Sequence, residues 1–232
     1  MDFGITVALK GVRDNYQGKE LDRITATKTA RLASECDKIF KLSDAVKKAI
    51  EKTSREEFVP SGFRHNAYKL DALPIGSSQY ISSPLTVAKM SEYLEPQGAD
   101  RVLEIGCGSG YQAAVLSHLF RGVFTIERIE SLMLEAKKRF RALGIDNVHT
   151  RTDDGQNGWV QYAPYDRILF SATAKSIPQK LFEQLRDGGI LVAPMQKGNQ
   201  QIITKFKKNG TRIEKTELEA CDFVPVLDGV QK

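Results

Sequence analysis

The sequence contains few of the residues that build disulfide frameworks and metal centres, with three cysteines and three histidines in 232 residues. Cys36, Cys107 and Cys221 are odd in number and far apart, so we expect neither a disulfide framework nor a zinc site. The histidines fit neither the spacing of metal ligands nor that of a catalytic triad. The composition therefore predicts a chain that binds no metal and folds in a reducing compartment.

Long apolar runs are also missing, and none approaches the length that a membrane-spanning helix needs. Residues 1–7 lack the basic-then-apolar layout of a signal peptide, so we expect a cytoplasmic protein that does not bind membranes. The net charge is +5, but the basic residues of 38–55 alternate with acids and lack interleaved aromatic residues. This pattern indicates a solvated surface, and we expect no nucleic-acid binding.

The sequence does contain a cluster of glycines at the end of an apolar run. Residues 101–105 are typical of a buried strand, Gly106, Gly108 and Gly110 follow them, and a helical pattern then begins. Glycines suit such a turn because they adopt unusual backbone angles and let a ligand approach the backbone. A second apolar run ends in Glu127, an acid placed to accept hydrogen bonds from ribose hydroxyls. These features predict a nucleoside-binding β-α-β unit.

The spacing of these glycines separates two classes of cofactor. The sequence has G-x-G-x-G, whereas dinucleotide-binding proteins have G-x-G-x-x-G, whose last position is Tyr111 here. This stretch also lacks the Lys-Ser or Lys-Thr pair of a phosphate-binding loop. The pattern resembles the nucleotide turn of class I S-adenosylmethionine-dependent methyltransferases, in which an acid two residues before the first glycine, here Glu104, is also typical. The resemblance implies S-adenosylmethionine as the cofactor.

Strand and helix patterns alternate along most of the chain, and a hairpin pattern follows them. Asn209-Gly210 is a strong hairpin signal between two strand-like segments, 201–207 and 212–218. The order predicts a doubly wound α/β fold with a mostly parallel sheet and an antiparallel C-terminal hairpin. The predicted helices are 27–54 in two pieces, 84–94, 129–143 and 177–186, and the predicted strands are 101–105, 123–126, 148–152, 167–172 and 190–194, with a turn at 187–189.

Three blocks of sequence, in this order, resemble protein-L-isoaspartate (D-aspartate) O-methyltransferases. The second block is the most specific, because a Gln-x-Ile-Ser loop at 79–82 precedes the glycine turn and Gly-Tyr-Gln-Ala-Ala-Val-Leu at 110–116. The resemblance extends over residues 40–228. The blocks are 55–60 with 67–76, 79–84 with 102–116, and 154–166 with 188–189 and 223–225.

This resemblance implies the family's fold, activity and domain arrangement. The expected fold is a Rossmann-like, seven-stranded methyltransferase sheet. The expected reaction methylates the free carboxylate of L-isoaspartyl residues in age-damaged proteins, which starts repair through a succinimide. We expect residues 1–40 to form an N-terminal extension with the first helix, and a monomer whose single domain spans 41–232. Within that domain, 41–98 would carry the N-terminal helices and active-site loop, 99–195 the cofactor-binding core and 196–232 the hairpin.

The resemblance also assigns roles to individual residues. Ser82 corresponds to the family's active-site serine, which we interpret as a group that orients the acceptor carboxylate and not as a covalent nucleophile. Asp154 with Gly155 corresponds to the adenine-side loop, and Gln200 to a late glutamine near the cofactor. The full set of expected cofactor-binding residues is Ile81, Glu104, Gly106, Gly108, Gly110, Glu127, Arg128, Asp154, Gly155 and Gln200.

The active-site loop departs from the family pattern. The usual Gly-x-Gly-Gln-Thr-Ile-Ser is Gly-Ser-Ser-Gln-Tyr-Ile-Ser at 76–82, so Ser78 replaces a glycine and Tyr80 a threonine. Two other hypotheses therefore remain open. One is a methyltransferase of the same fold that acts on RNA or a small molecule, although the Asn/Asp-Pro-Pro-Tyr and Pro-Cys motifs of base methylation are missing. The other is a homologue that has lost activity and binds a partner.

Overall fold

The computed structural model describes residues 20–232, and a seven-stranded sheet forms its centre. A separate two-stranded hairpin, which the sequence analysis did not predict, precedes this sheet in the chain. The hairpin consists of β1 (Leu73–Pro74) and β2 (Tyr80–Ile81), and the sheet of β3 (Arg101–Ile105), β4 (Gly122–Glu127), β5 (Val148–Thr152), β6 (Tyr165–Phe170), β7 (Leu185–Lys197), β8 (Gln200–Asn209) and β9 (Arg212–Cys221).

The strands of the large sheet follow the order β5-β4-β3-β6-β7-β8-β9. The first five strands in this order are parallel to one another, β8 is antiparallel to β7, and β9 is antiparallel to β8. The predicted fold, a mostly parallel seven-stranded sheet with an antiparallel C-terminal hairpin, is confirmed. Along the chain, β3, β4 and β5 extend the sheet towards one edge, and β6 to β9 then extend it towards the other. The carboxyl ends of β3 and β6 therefore border the crevice where open α/β sheets bind ligands.

Helices begin at the capping residues that the sequence offers. The Ser83 hydroxyl accepts a hydrogen bond from the amide of Thr86 at 3.1 Å, and Pro84 takes the first helical position. Ser43 caps a helix in the same way, as predicted. The helices are α1 (Arg23–Ile39), α2 (Asp44–Lys52), α3 (Pro84–Tyr93), α4 (Tyr111–Ser117), α5 (Glu130–Leu143) and α6 (Gln179–Gln184), and short 3₁₀ turns occupy Arg55–Phe58, Ser61–Asn66, Gly155–Asn157 and Val160–Tyr162.

The central strands contribute alternate side chains to two hydrophobic cores. Val102 of β3 and Val123 of β4 pack on one face of the sheet, in the core that contains buried residues of α1 to α5. Leu103 and Phe124 pack on the other face, in the core that contains Leu181 of α6. Successive side chains of a strand point to opposite faces, so a strand covered on both faces is apolar throughout. Because both faces of β3 and β4 are packed, the two cores together hold the ends of these strands in place.

The course of β7 differs from the prediction. The predicted turn at 187–189 lies within β7, because Tyr165 pairs with Leu185 and Arg167 with Ile190, and the residues between them bulge out of the ladder. The left-handed conformation of Gly188, with φ 72°, allows this irregularity. The strand therefore starts directly after α6, which ends at Gln184 instead of residue 186.

The antiparallel region is also larger than predicted. β8 pairs with β7 as well as with β9, so three strands and two tight turns form this edge. Asn209 pairs with Arg212, which places the second turn at 210–211 instead of at Asn209-Gly210. The hairpin is therefore confirmed, and its turn lies one residue later than predicted.

The N-terminal helix packs closely against the rest of the molecule. α1 begins at Arg23, earlier than predicted, because the Asp22 carboxylate accepts hydrogen bonds from the amides of Ile24 and Thr25. It buries Leu32 and Cys36 in the core shared with α2 and α3. A division at residue 40 stays a prediction, and the extension expected over the first residues falls mostly outside the described range. None of the helices in residues 20–232 is long and apolar enough to cross a membrane.

Candidate functional site

An open cavity, with about 880 Å³ of empty space that includes its solvent-filled mouth, lies at the carboxyl ends of β3, β4 and β6. Ile105 and Glu127 end two of these strands and line the cavity, and Ser171 follows the third. The residues 79–82 form one side, and residues 224–227 from the C-terminal segment form another. Several stretches of the chain that are distant in sequence therefore meet around one space, at the place where open α/β sheets bind ligands.

The glycine turn forms the floor of this cavity. The amide of Gly106 donates a hydrogen bond of 2.8 Å to the carbonyl of Ile126, which continues the pairing of β3 and β4 beyond the end of β3. Gly110 has φ 92°, and a Cβ atom there would lie 2.8 Å from Cζ of Phe140. A side chain at this position would therefore meet both backbone strain and α5, which packs directly beneath the turn.

Glu127 connects the glycine turn to the start of α5. Its Oε2 accepts a hydrogen bond from the amide of Gly108 at 2.8 Å, and its Oε1 accepts one from the amide of Ile129 at 2.9 Å. The residue is only 6% exposed, and this exposed part faces the cavity that it lines. A carboxylate offers about four acceptor sites, so both oxygens can still accept a hydroxyl of a bound ribose.

Glu104 lies beneath the turn and not at the cavity surface. It is completely buried, the Thr125 hydroxyl donates to its Oε2 at 2.6 Å and the Ser171 hydroxyl donates to its Oε1 at 3.2 Å. Burial raises the pKa of the Glu104 carboxyl from 4.5 to about 8, although both hydroxyl donors oppose the shift. Glu104 is therefore protonated in the folded protein at neutral pH.

We expect the buried acid to make the stability of the protein depend on pH. Between about pH 5 and pH 8 the unfolded chain ionises Glu104 and the folded chain does not, so the free energy of unfolding falls as pH rises. For this one group the fall is at most about 1.4 kcal/mol per pH unit. Glu104→Gln should remove that fall when urea unfolding is measured across this range. The exposed Glu183→Gln is the control, and parallel curves for wild type and Glu104→Gln would contradict the prediction.

The C-terminal segment 223–231 crosses the sheet edge and closes one side of the cavity. Thr173 holds it through two backbone hydrogen bonds of 2.8 Å, one to the carbonyl of Val224 and one from the amide of Val226. Asp154 accepts a hydrogen bond from the amide of Gly229 at 3.0 Å. The Arg128 guanidinium donates to the carbonyl of Gly229 at 3.1 Å and to the side chain of Gln231 at 3.2 Å. Residues 223–225 belong to a sequence motif of the family resemblance, and nothing in that motif predicts that they close the cavity.

Ser82 follows β2 and faces the same cavity as the glycine turn. It is half-buried, and its carbonyl accepts a hydrogen bond of 3.0 Å from the Arg55 guanidinium. Arg55 is completely buried and also donates to the carbonyls of Ala67 and Asp71, each at 2.8 Å. The sequence pattern placed Arg55 among the basic residues of a solvated surface, and for this residue the prediction is wrong because its side chain is buried. In the structure this side chain fixes the backbone of Ser82 against the loop that precedes β1.

The structure brings most of the predicted site residues together. Glu104 lies beneath the turn and Gly110 belongs to the part of it that packs on α5, and neither residue lines the cavity. Gln200 is exposed on β8 and does not line it either, so its position gives no support for a role at the cofactor. The predicted residues that do line the cavity are Ile81, Ser82, Gly106, Gly108, Glu127, Arg128, Asp154 and Gly155.

The adjacent Gln201 has the contacts that Gln200 lacks. Its Oε1 accepts hydrogen bonds from the Thr173 hydroxyl at 2.7 Å and from the amide of Phe223 at 2.6 Å, and its amide donates to the carbonyl of Phe223 at 3.0 Å. Gln201 therefore anchors the start of the C-terminal segment at the cavity wall. Neighbouring residues of a strand face opposite sides, so Gln200 lies on the other face of β8, and its assignment to the cofactor stays a prediction.

The strand order, the glycine turn between β3 and α4 and the acid at the end of β4 define a class I S-adenosylmethionine-dependent methyltransferase. The model of one family within this class, described as protein-L-isoaspartate(D-aspartate) O-methyltransferase (PCMT), matches residues 27–231. The chain belongs to this family.

Related proteins agree with this membership. A protein-L-isoaspartate O-methyltransferase of Helicobacter pylori (strain G27) is 59% identical over 210 residues, which are 90% of this chain and 100% of that protein. One of Maricaulis maris (strain MCS10) is 46% identical over 181 residues, or 78% of this chain and 85% of that protein.

Solved structures show the same fold. A protein-L-isoaspartate O-methyltransferase with 28% identity superposes with a TM-score of 0.78 over 86% of this chain, which spans 66% of that structure's chain, just under two thirds. A Plasmodium falciparum structure, described as a putative protein-L-isoaspartate O-methyltransferase in complex with S-adenosyl-L-homocysteine, has 18% identity and a TM-score of 0.77, and the match covers 86% and 98% of the two chains.

Proposed function

We propose that this protein transfers a methyl group from S-adenosylmethionine to the free carboxylate of L-isoaspartyl residues in damaged proteins. The methyl ester then collapses to a succinimide, which hydrolyses partly to normal aspartate. The observation that carries the proposal is that Ser82 and the glycine turn with Glu127 line one cavity. A carboxylate held at Ser82 and a nucleoside held at Glu127 would therefore share a single space.

The residues of the cavity fit S-adenosylmethionine. Glu127 keeps acceptor capacity for the ribose hydroxyls, and the glycine turn lets a ligand approach the backbone at Gly106 and Gly108. Asp154 and Gly155 form the wall where we place the adenine. The bound cofactor supplies an activated methyl group on a sulfonium, so the protein needs to supply little beyond position.

The acceptor chemistry requires orientation more than proton transfer. A free side-chain carboxyl has a pKa of about 4, so the acceptor is already an anion at neutral pH and needs no general base. Ser82 can donate its hydroxyl hydrogen to one carboxylate oxygen, next to the N-terminus of α3 that Ser83 caps. Correct placement of two reacting groups lowers a barrier by up to about 7–11 kcal/mol when it is fully achieved. We therefore assign Ser82 the orienting role.

We also propose the setting in which the protein acts. Its partners would be age-damaged proteins and peptides that contain isoaspartyl residues, and it would act as a cytoplasmic monomer without binding nucleic acid. Packing of α1 into the core supports an enzyme domain that includes this helix.

The proposed activity predicts a clear difference between two peptides of the same sequence. With labelled S-adenosylmethionine, a peptide that contains L-isoaspartate should become a base-labile methyl acceptor, and the normal aspartyl peptide should remain unlabelled. In isoaspartate the main chain runs through the side-chain methylene and the free carboxylate is attached directly to Cα, so only this geometry should meet Ser82. Equal labelling of both peptides would contradict the proposal, and labelling of RNA alone would indicate a different acceptor. Failure to bind S-adenosylmethionine in calorimetry would indicate an inactive homologue.

A further inference from the structure

An aromatic side chain stands exposed at the mouth of the cavity. Tyr80 is 58% exposed although it lines the cavity, and Leu227 of the C-terminal segment lines it too and is 51% exposed. The Tyr80 side chain makes no hydrogen bond or ring contact with the described part of the chain. Two large apolar side chains thus line the cavity and are also exposed to solvent, as side chains at its mouth would be.

The strand geometry puts Tyr80 and Ser82 on the same side of the loop. Tyr80 pairs with Pro74 and Ile81 with Leu73 in the β1–β2 hairpin, and Ile81 is buried at 3% exposure. Successive side chains of an extended chain alternate in direction, so the residues before and after Ile81 point away from the core together. They are separated by about 7 Å along the strand, the length of two extended residues of a bound peptide.

The loop holds the Tyr80 backbone in a fixed position. The amide of Gln79 donates to the carbonyl of Gly76 at 3.1 Å, and the amide of Ile75 donates to the carbonyl of Gln79 at 2.8 Å. Ser77 and Ser78 complete this turn with left-handed φ values of 58° and 55°. A ring on a closed turn loses little conformational entropy when it contacts a ligand, which favours it as a binding surface.

The charged residues of the cavity are not available to bind the peptide residues that flank isoaspartate. Glu127 is bonded to two backbone amides, Asp154 to the amides of Gln156 and Gly229, and Arg128 to the C-terminal segment. Asp154 and Arg128 are thus bonded within the protein, and the acceptor capacity that Glu127 keeps is assigned to the ribose of the cofactor. The free surface beside Ser82 is therefore mainly apolar, and it matches an apolar side chain better than a charged one.

We propose that Tyr80 and Leu227 form a subsite for a large apolar side chain located within two residues of the isoaspartyl residue. This inference rests on the proposed function, because the position of the subsite is defined by a peptide carboxylate at Ser82. Contact with the ring and with Leu227 removes apolar surface of the peptide from water. Tyr80 is then the residue that gives this chain a preference among damaged sites, at a position where the family pattern has threonine.

The test compares isoaspartyl peptides that differ in one flanking residue. Leucine, phenylalanine, serine or glutamate is placed at each of the two positions on either side of isoaspartate, and kcat/KM is measured for each peptide. At one of these positions, kcat/KM should be about fivefold higher for the leucine and phenylalanine peptides than for the serine peptide, mainly because KM is lower. Tyr80→Thr and Tyr80→Ala should reduce this ratio to below about twofold, and Tyr80→Phe should retain it because the contact uses the ring.

Leu134→Ala provides a matched control, since Leu134 is also 51% exposed but lies on α5 away from the cavity. This variant should keep the wild-type ratio. A wild-type enzyme that methylates all isoaspartyl peptides equally, or a ratio that survives in Tyr80→Thr, overturns the subsite and leaves the proposed function intact. Absence of methylation on every isoaspartyl peptide overturns both.

Discussion

Replacing Ser82 by alanine is expected to lower kcat/KM for an isoaspartyl peptide by about a hundredfold. The fall in kcat/KM has two causes. The variant loses a hydrogen bond to a charged carboxylate, and it loses the alignment that this bond imposes on the attacking oxygen. Backbone contacts of the loop would remain, because Arg55 binds the carbonyl of residue 82 and not its side chain. The dissociation constant for S-adenosylmethionine should therefore stay within about twofold of wild type.

The Ser82 variant is measured by steady-state kinetics with an isoaspartyl peptide and by calorimetry with S-adenosylmethionine. Ser78→Ala is a suitable control, since Ser78 belongs to the same loop, is exposed and does not line the cavity. It should retain near-normal kinetics. A Ser82→Ala enzyme with unchanged kcat/KM would show that the acceptor is oriented by other groups. A variant that no longer binds the cofactor would show instead that Ser82 holds the loop and cavity together.

Glu127→Gln should weaken the binding of S-adenosylmethionine by about a hundredfold. Both oxygens of the present carboxylate accept backbone amide hydrogen bonds, and the glutamine side chain would place an amide group against one of those donors. The substitution would also remove the charge that strengthens hydrogen bonds from ribose hydroxyls. The cofactor site should therefore lose both its ligand contacts and the support of the glycine turn.

Calorimetry with S-adenosylmethionine and with S-adenosyl-L-homocysteine measures this loss. Both ligands share the ribose, so both affinities should fall by a similar factor if Glu127 contacts that sugar. Glu130→Gln is the control, because Glu130 is an exposed acid at the start of α5. An affinity in Glu127→Gln close to that of wild type would contradict the assignment. Denaturation curves separate a local loss of affinity from a general loss of stability.

The parts of the fold that depend on local pattern were predictable from the sequence. The strand that ends in the glycine turn and the strand that ends in Glu127 lie where their apolar runs and terminal residues indicated. The helix that begins at Pro84 and the one that ends before Gly144 have the expected caps. Local propensity, capping and burial agree in these segments, which is the condition under which sequence patterns are informative.

The parts that depend on pairing between distant segments were not predictable. The bulge in β7 depends on its register with β6, which no residue within β7 specifies. The choice between Gln200 and Gln201 likewise needs the register of β8, because a slip of one residue exchanges the faces of a strand. The role of Arg55 required three carbonyl groups from separate stretches to be placed around one guanidinium.

The position of the C-terminal segment has a consequence for synthesis of the protein. Residues 224–227 line the cavity, Thr173 binds the backbone of Val224 and Val226, and Asp154 and Arg128 bind residues 229–231, which follow this stretch. The ribosome makes all three binding residues much earlier. A nascent chain that stops short of this segment can form the glycine turn but has no means of enclosing a ligand. Prematurely terminated products should therefore be free of methylating activity, and the cell would obtain a working enzyme only from chains translated past Leu227.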